Sequence, residues 1–141
     1  MIDSVPAYDD VGRGPAVILL HGFPFNRSMW RSQTEFLAPH GYRVVAPDLR
    51  GLGSAVQISG NDSGNRLESA PFIATMGQMA GDVVALMNGL NIQRAVFCGL
   101  SMGGYLALDF VSRFRERVAA LILAGARATA ADEAEIGRAH V

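Results

Sequence analysis

A serine between two glycines is the feature of this chain that could do chemistry. The segment Gly99–Gly103 reads GLSMG, with Ser101 at its centre. The apolar stretch Arg94–Gly99 before it is typical of a buried strand, and Met102–Phe114 after it has the spacing of a helix. A serine at such a strand-to-helix turn fits the G-x-S-x-G pattern of a nucleophile. Because 16 of the 141 residues are glycine, a chance match is the alternative.

Two further segments combine a strand-length apolar run with a motif. Ala16–Leu20 is followed at once by His21–Pro24 (HGFP), and Tyr42–Ala46 is followed by Pro47–Ser54 (PDLRGLGS). Together with GLSMG, and in this order, these motifs resemble those of the α/β-hydrolase superfamily. The resemblance is to its group of small esterases, lactonases and cofactor-free haloperoxidases. It extends from about residue 5 to about residue 132.

The resemblance implies an α/β fold, a three-layer αβα sandwich with a mostly parallel sheet. Apolar runs predict five strands, the last four forming a contiguous parallel set. The predicted strands are Val5–Tyr8, Ala16–Leu20, Tyr42–Ala46, Arg94–Cys98 and Val118–Ala124. The predicted helices are 28–37, capped by Ser28 with Trp30 and Phe36 among its apolar positions, Met76–Leu90 and Met102–Phe114. The Gly-, Ser- and Asn-rich segment Gly53–Pro71 is interpreted as a long loop, either ligand-binding or without contacts of its own.

The end of the chain is expected to differ in origin from the rest. Domains of the family it resembles are longer, so residues 1–134 are interpreted as the N-terminal part of one domain, truncated after the strand that follows the serine motif. Residues Glu135–Val141 are those that the frame GAG ATC GGA AGA GCA CAC GTC of a sequencing adapter would encode. We therefore interpret 135–141 as a non-native tail, with a natural helical tail as the alternative.

The three motifs predict the parts of an acyl-transfer site. Ser101 is expected to attack the acyl carbon of a small ester or lactone. The tetrahedral oxyanion needs fixed donors, and the backbone N–H of Met102, the residue after the nucleophile, is one of them. By resemblance, the second donor is the backbone N–H of Phe23. The residues expected to support the turn and the loop are His21, Gly22, Gly99 and Gly103.

A serine hydroxyl needs a base, and the sequence does not supply one in the expected order. In this fold the nucleophile is followed by an acid and then by a histidine. The histidine after Ser101 is His140, inside the predicted tail, and the acid candidate Asp132 lies just before that tail. We therefore expect the triad acid and base to be missing from this chain. Asp48 and Arg50 are interpreted as a structural ion pair or turn rather than as a catalytic pair.

Composition excludes several other function classes. The formal net charge is −1 without blocks of like charge, which argues against nucleic-acid binding. The N-terminus lacks the pattern of a secretory signal, and no apolar run reaches the length of a membrane span, so a cytoplasmic protein is predicted. Neither a metal nor a cofactor is expected, and the oligomeric state is open. The single cysteine, Cys98, is interpreted as a buried apolar side chain, with a reactive thiol as the alternative.

Three functions remain on this evidence. The first is a serine hydrolase acting on a small ester or lactone. The second is a cofactor-free haloperoxidase or perhydrolase that forms a peracid from the same acyl-enzyme. The third is a non-catalytic fragment or pseudoenzyme that binds a small ligand. Dehalogenases of the fold are disfavoured because they carry an aspartate where this chain has Ser101. The first function is favoured for the parent enzyme, and the third for the 141 residues alone.

The 141-residue chain produced by itself is expected to show no serine-dependent turnover, because Ser101 lacks a base within it. Hydrolysis of p-nitrophenyl acetate by the chain and by its Ser101→Ala variant, measured side by side, should proceed at equal rates. Turnover that disappears with the Ser101 hydroxyl would mean that a base has been overlooked.

Overall fold

The computed structural model describes residues 6–53 and 74–127, which form one five-stranded sheet with helices on both faces. Val5, residues 54–71 of the predicted loop, Asp132 and the predicted tail lie outside the described residues. The strands are β1 (Tyr8–Gly12), β2 (Ala16–Leu20), β3 (Arg43–Pro47), β4 (Ala95–Leu100) and β5 (Val118–Ala124). The helices are α1 (Arg31–Leu37), α2 (Met76–Gly89) and α3 (Met102–Arg113). Short 3₁₀ turns occupy Arg27–Trp30, Ala38–His40 and Arg115–Arg117.

The strand order is β1-β3-β2-β4-β5, and the last four strands in the chain are parallel neighbours, as the sequence predicts. In register, Leu20 of β2 lies beside Gly99 of β4, which in turn lies beside Leu123 of β5. The carboxyl ends of these strands therefore meet at one edge of the sheet. The loops after β2, β3 and β4, which carry the three sequence motifs, all leave from that edge.

The first strand was predicted at Val5–Tyr8, and this prediction is wrong, because the strand is Tyr8–Gly12. It pairs antiparallel with β3 at the edge of the sheet, and all five of its residues are exposed. A search for apolar runs misses this strand, because none of its residues is buried and its sequence is therefore not continuously apolar. Its two aspartates, Asp9 and Asp10, instead bind arginines on neighbouring elements.

The core has two layers because successive residues of each strand face opposite sides of the sheet. Ile18 and Leu20 pack with α2 and α3, whereas Val17 and Leu19 pack with Trp30 on the other side. The three-layer αβα arrangement is thus confirmed. The methionines of α2 contribute Met79 and Met87 to the first layer as apolar filler.

The first helix differs from its prediction in two details. It begins with a 3₁₀ turn that is capped by Asn26, whose side chain accepts the N–H of Ser28, so Ser28 is not the cap. Trp30 is buried as expected, but Phe36 is 63% exposed and stacks on His40 with ring centroids 4.5 Å apart. Phe36, although an apolar position of the predicted helix, therefore lies at the surface.

Two glycines allow α3 to contact the sheet without an intervening layer of side chains. A Cβ atom added to Gly99 would overlap the backbone of Gly103, and one added to Gly103 would overlap the carbonyl oxygen of Leu20. The first turn of α3 therefore lies directly against the ends of β2 and β4. This backbone-to-backbone contact requires glycine at both positions.

Gly103→Ala is expected to lower the free energy of unfolding by about 1–3 kcal/mol, because the added methyl group has no space. Gly81→Ala is the matched control, since Gly81 is an exposed glycine of α2 with nothing within 4 Å of an added Cβ. The control is expected to gain about 0.4–1 kcal/mol through a lower entropy of the unfolded chain. Urea unfolding of both variants measures the difference, and equal stabilities would contradict the close contact.

Candidate active site

Ser101 lies at the turn between β4 and α3, in a backbone conformation that non-glycine residues rarely adopt. Its φ is +50° and its ψ is −113°. Such a conformation costs about 1–3 kcal/mol and persists only where the surroundings enforce it. Here the Ser101 N–H donates to the carbonyl oxygen of Ala124 at 2.7 Å, and the Ser101 carbonyl accepts the N–H groups of Gly104 and Tyr105 at 2.9 and 3.1 Å. The turn is thus fixed on both sides of the serine.

The Ser101 side chain is exposed at the start of the 12-residue helix α3. Among the residues that the structure describes, none accepts from or donates to its hydroxyl. The N-terminal end of a helix carries a partial positive charge, which favours negative charge developing nearby. The position therefore combines an accessible hydroxyl with a backbone that stabilises an anion.

The loop after β2 lies against Ser101. A Cβ added to Gly22 would be 3.5 Å from the Ser101 Cβ and 3.2 Å from the Leu100 carbonyl oxygen, so Gly22 lies in direct proximity to the serine. Next to Gly22 the backbone N–H of Phe23 has no acceptor in the described part of the chain, and the same holds for the N–H of Met102. Two uncommitted N–H groups thus belong to the two segments that flank the hydroxyl.

His21 is fully buried, and both of its ring nitrogens are used. Nδ1 lies 3.0 Å from the Gly22 carbonyl oxygen, which can only accept, so Nδ1 carries the proton. Nε2 accepts the backbone N–H of Leu49 at 2.9 Å and therefore presents its lone pair there. No lone pair remains to take a proton from Ser101. The ring instead connects the loop after β2 to the loop after β3.

Asp48 and Arg50 each have a partner other than the one that the sequence suggests. The buried carboxylate of Asp48 accepts the backbone N–H of Arg27 at 2.9 Å and binds the Arg27 guanidinium. Arg50 forms a bidentate ion pair with Asp82 of α2, in which the arginine Nε lies 2.7 Å from the aspartate Oδ2. Sequence reasoning missed Arg27 and Asp82 because they are 21 and 32 residues from their partners.

Comparison with known proteins places the chain in a family. A family model described as the alpha/beta hydrolase fold matches residues 15–140. The chain belongs to the α/β-hydrolase family. Epoxide hydrolase 3 of Xenopus tropicalis is 40% identical over 114 residues, covering 81% of this chain and 28% of that protein. A Synechocystis protein designated a non-heme chloroperoxidase is 34% identical over 117 residues, covering 82% and 38%.

A solved structure shows the same likeness in three dimensions. The thermophilic esterase from Thermogutta terrifontis superposes with a TM-score of 0.77 at 39% identity, covering 94% of this chain and 44% of the esterase. The chain therefore spans less than half of the length of these relatives. Their names divide between epoxide, ester and peroxide chemistry, so the relatives do not decide the reaction.

In this α/β-hydrolase, neither histidine of the described residues stands ready as a base for Ser101. The ring of His21 is committed, as shown above. His40 ends the 3₁₀ turn before β3, with Nδ1 2.6 Å from the carbonyl oxygen of Phe36. Because β3 and β4 are parallel, the amino end of β3 and the carboxyl end of β4 lie at opposite edges of the sheet. Asp132 and His140 lie outside the described residues.

Cys98 has a packing role in the described core. It is half-buried among the apolar residues around Trp30, and burial raises the pKa of its thiol. A raised pKa keeps the thiol protonated at neutral pH, which favours the structural interpretation over a reactive cysteine. Within 6–53 and 74–127, no helix is long and apolar enough to cross a membrane, and no three His, Cys, Asp or Glu residues cluster as metal ligands would.

The buried ring of His21 predicts a pH dependence of stability. Burial lowers the pKa of His21 below its ordinary value, an effect that the Gly22 hydrogen bond and Asp48 only partly oppose. Below about pH 6.5 the unfolded chain binds a proton at this residue while the folded chain does not. Stability therefore falls as the pH falls towards the lowered value, by up to about 1.4 kcal/mol per pH unit.

His21→Gln removes this group, so the variant is expected to lose less stability than the parent between pH 7.5 and 5.5, although it starts from a lower value. Urea midpoints at the two pH values measure the effect. His40→Gln, a substitution of an exposed histidine, is measured alongside as the matched variant. The same pH dependence in the parent and in His21→Gln would contradict a neutral, buried His21.

Proposed function

We propose that the full-length protein is a serine hydrolase that acts on a small ester or lactone, with Ser101 as its nucleophile. The observation that carries the proposal is the conformation of Ser101, an exposed serine held at positive φ on the N-terminal end of α3. Backbone strain of this kind is concentrated at functional sites. The loop of Gly22 packed against the serine adds to this, because it brings to the same place a second backbone N–H, that of Phe23, which has no acceptor among the described residues.

The reaction follows from the groups at the site. The Ser101 oxygen attacks the acyl carbon, forming a C–O bond while the carbonyl electrons move onto oxygen. The N–H groups of Met102 and Phe23 are the proposed donors to that oxyanion, each of the kind worth about 3 kcal/mol in the transition state. The alcohol then leaves, and water hydrolyses the acyl-enzyme. His21, Gly22, Gly99 and Gly103 hold the two segments in place.

The chemistry of a hydroxyl nucleophile favours an acyl substrate over an epoxide. Attack by the Ser101 oxygen on an epoxide carbon would form an alkyl ether, which water does not cleave under physiological conditions. Attack on an acyl carbon forms an ester, which water does cleave. Opening an epoxide with turnover needs a carboxylate at this position, whose product is again an ester. The epoxide hydrolases among the relatives therefore support the fold of this chain more than its substrate.

Proton transfer sets the requirement for the rest of the enzyme. The Ser101 hydroxyl must lose its proton during attack, and the committed ring of His21 cannot accept it. In the proposed enzyme the general base and its acid therefore come from outside residues 6–53 and 74–127. The 141 residues by themselves are proposed to be inactive, because the remaining histidine, His140, lies in the segment that we interpret as a non-native tail.

A perhydrolase is the second candidate, favoured by the Synechocystis relative that is designated a chloroperoxidase. The same acyl-enzyme would be cleaved by hydrogen peroxide instead of water, releasing a peracid and restoring the serine. The two functions share Ser101 and both N–H donors. The ratio of peracid to free acid formed in the presence of hydrogen peroxide distinguishes them.

A fluorophosphonate probe is expected to label the full-length protein at Ser101, and the Ser101→Ala variant should lose both labelling and ester hydrolysis. Ser112→Ala is the matched control, because Ser112 lies on the same helix with its hydroxyl bonded to the Asp109 carbonyl. It should retain both. Peptide mass spectrometry locates the label, and p-nitrophenyl acetate and styrene oxide serve as substrates. Labelling that survives Ser101→Ala, or turnover of the epoxide, would overturn the proposal.

A further inference from the structure

We propose that Arg27 is a positioning residue for the oxyanion hole, acting through the buried carboxylate of Asp48. This inference rests on the proposed function, since it assigns the Phe23 N–H as a donor to the oxyanion. The Arg27–Asp48 pair fixes the far end of the loop that carries Phe23. It does so without contacting the substrate.

Asp48 binds Arg27 at two points. Its Oδ1 accepts the Arg27 backbone N–H at 2.9 Å, and its Oδ2 binds the Arg27 guanidinium. The backbone N–H of Asp48 donates to the Ala7 carbonyl oxygen at 2.8 Å, which anchors the aspartate itself beside β1. The guanidinium reaches further, to Asp9 of β1, with Nε 3.2 Å from Oδ1. Arg27 is thereby held through both its backbone N–H and its side chain.

The segment between Gly22 and Arg27 is short and internally bonded. The N–H of Phe25 donates to the Gly22 carbonyl oxygen at 2.9 Å, closing a turn around Phe23. Asn26 caps the following 3₁₀ turn through the N–H of Ser28. A displacement of Arg27 therefore also displaces Phe23, because these hydrogen bonds hold the short segment between them.

The two ends of this segment are bonded to adjacent residues of one loop. His21 binds the backbone N–H of Leu49 at the start, and Arg27 binds Asp48 at the end. The turn that carries Phe23 lies between these two attached residues. Because Asp48 and Leu49 directly follow β3, these two bonds connect the turn of Phe23 to the end of a core strand rather than to a surface loop.

Burial makes the pair a rigid restraint. The Asp48 side chain is fully buried, so its charge must remain paired with Arg27. A Cβ added to Gly53 would come within 2.5 Å of the Asp48 carboxylate carbon, so backbone also fills the space on that side. A shift of about 1 Å in a group that positions a reaction can cost on the order of 100-fold in rate. Loss of the restraint should therefore appear in the chemical step.

Arg27→Met in the full-length protein is expected to lower kcat per active site about 10- to 100-fold, with KM changed less than about twofold. Burst titration with a fluorophosphonate counts the active sites, so loss of folded enzyme does not enter the result. Arg27→Lys keeps the charge and should restore part of kcat. Arg43→Met is the matched control, because Arg43 also pairs with an aspartate of β1 and is also 28% exposed. Its kcat per site should equal that of the parent.

A purely structural role would lower the melting temperature and the titratable fraction while kcat per site stayed unchanged, and that result would overturn the inference. Where Arg27→Met leaves too little folded protein, the comparison is Arg27→Met with Asp48→Asn against the parent, since no buried charge is then left unpaired. A lower kcat per site in the double variant supports the positioning role, and equal values reject it. A parent that the probe does not label at Ser101 would reject the proposed function itself.

Discussion

The contact between the start of α3 and the carboxyl ends of β2 and β4 is the constraint on which the site depends. It exists because Gly99 and Gly103 have no Cβ, so backbone packs on backbone. A helix that begins this close to the sheet can follow β4 only through a sharp turn, and that turn holds Ser101 at positive φ. The same proximity brings Gly22 beside the serine, where an added Cβ would lie 3.2 Å from the Leu100 carbonyl oxygen and 3.5 Å from the Ser101 Cβ.

The loop after β3 joins the parts that this contact brings together. Its first three residues bind three different elements: Asp48 holds Arg27, the N–H of Leu49 holds His21, and Arg50 holds Asp82 of α2. Each bond uses a buried or half-buried polar group whose separation would leave it unsatisfied. The polar groups of the motif that follows β3 thus bind neighbouring elements. We therefore interpret its charged residues as structural rather than catalytic.

Local patterns in the sequence were sufficient for the parallel strands, the long helices and the turn at Ser101. Continuous apolar runs mark strands that are buried on both sides, and glycine spacing marks the close turn. The prediction failed at β1, which is exposed along its whole length, and at Phe36, where an aromatic residue packs on His40 at the surface. The partners of Asp48 and Arg50 could not be predicted, because ion pairs between distant residues leave no periodic signal in a single sequence.

The conformation of Ser101 also sets stability against activity at a single residue. A glycine there would adopt the same backbone angles without strain, so the chain pays in folding free energy for carrying a side chain at this turn. Asn91, the other non-glycine residue with positive φ in the described ranges, belongs to a residue type that tolerates that region. Serine has no such tolerance. Selection for thermal stability alone would therefore favour glycine over serine at position 101, and the hydroxyl would be lost.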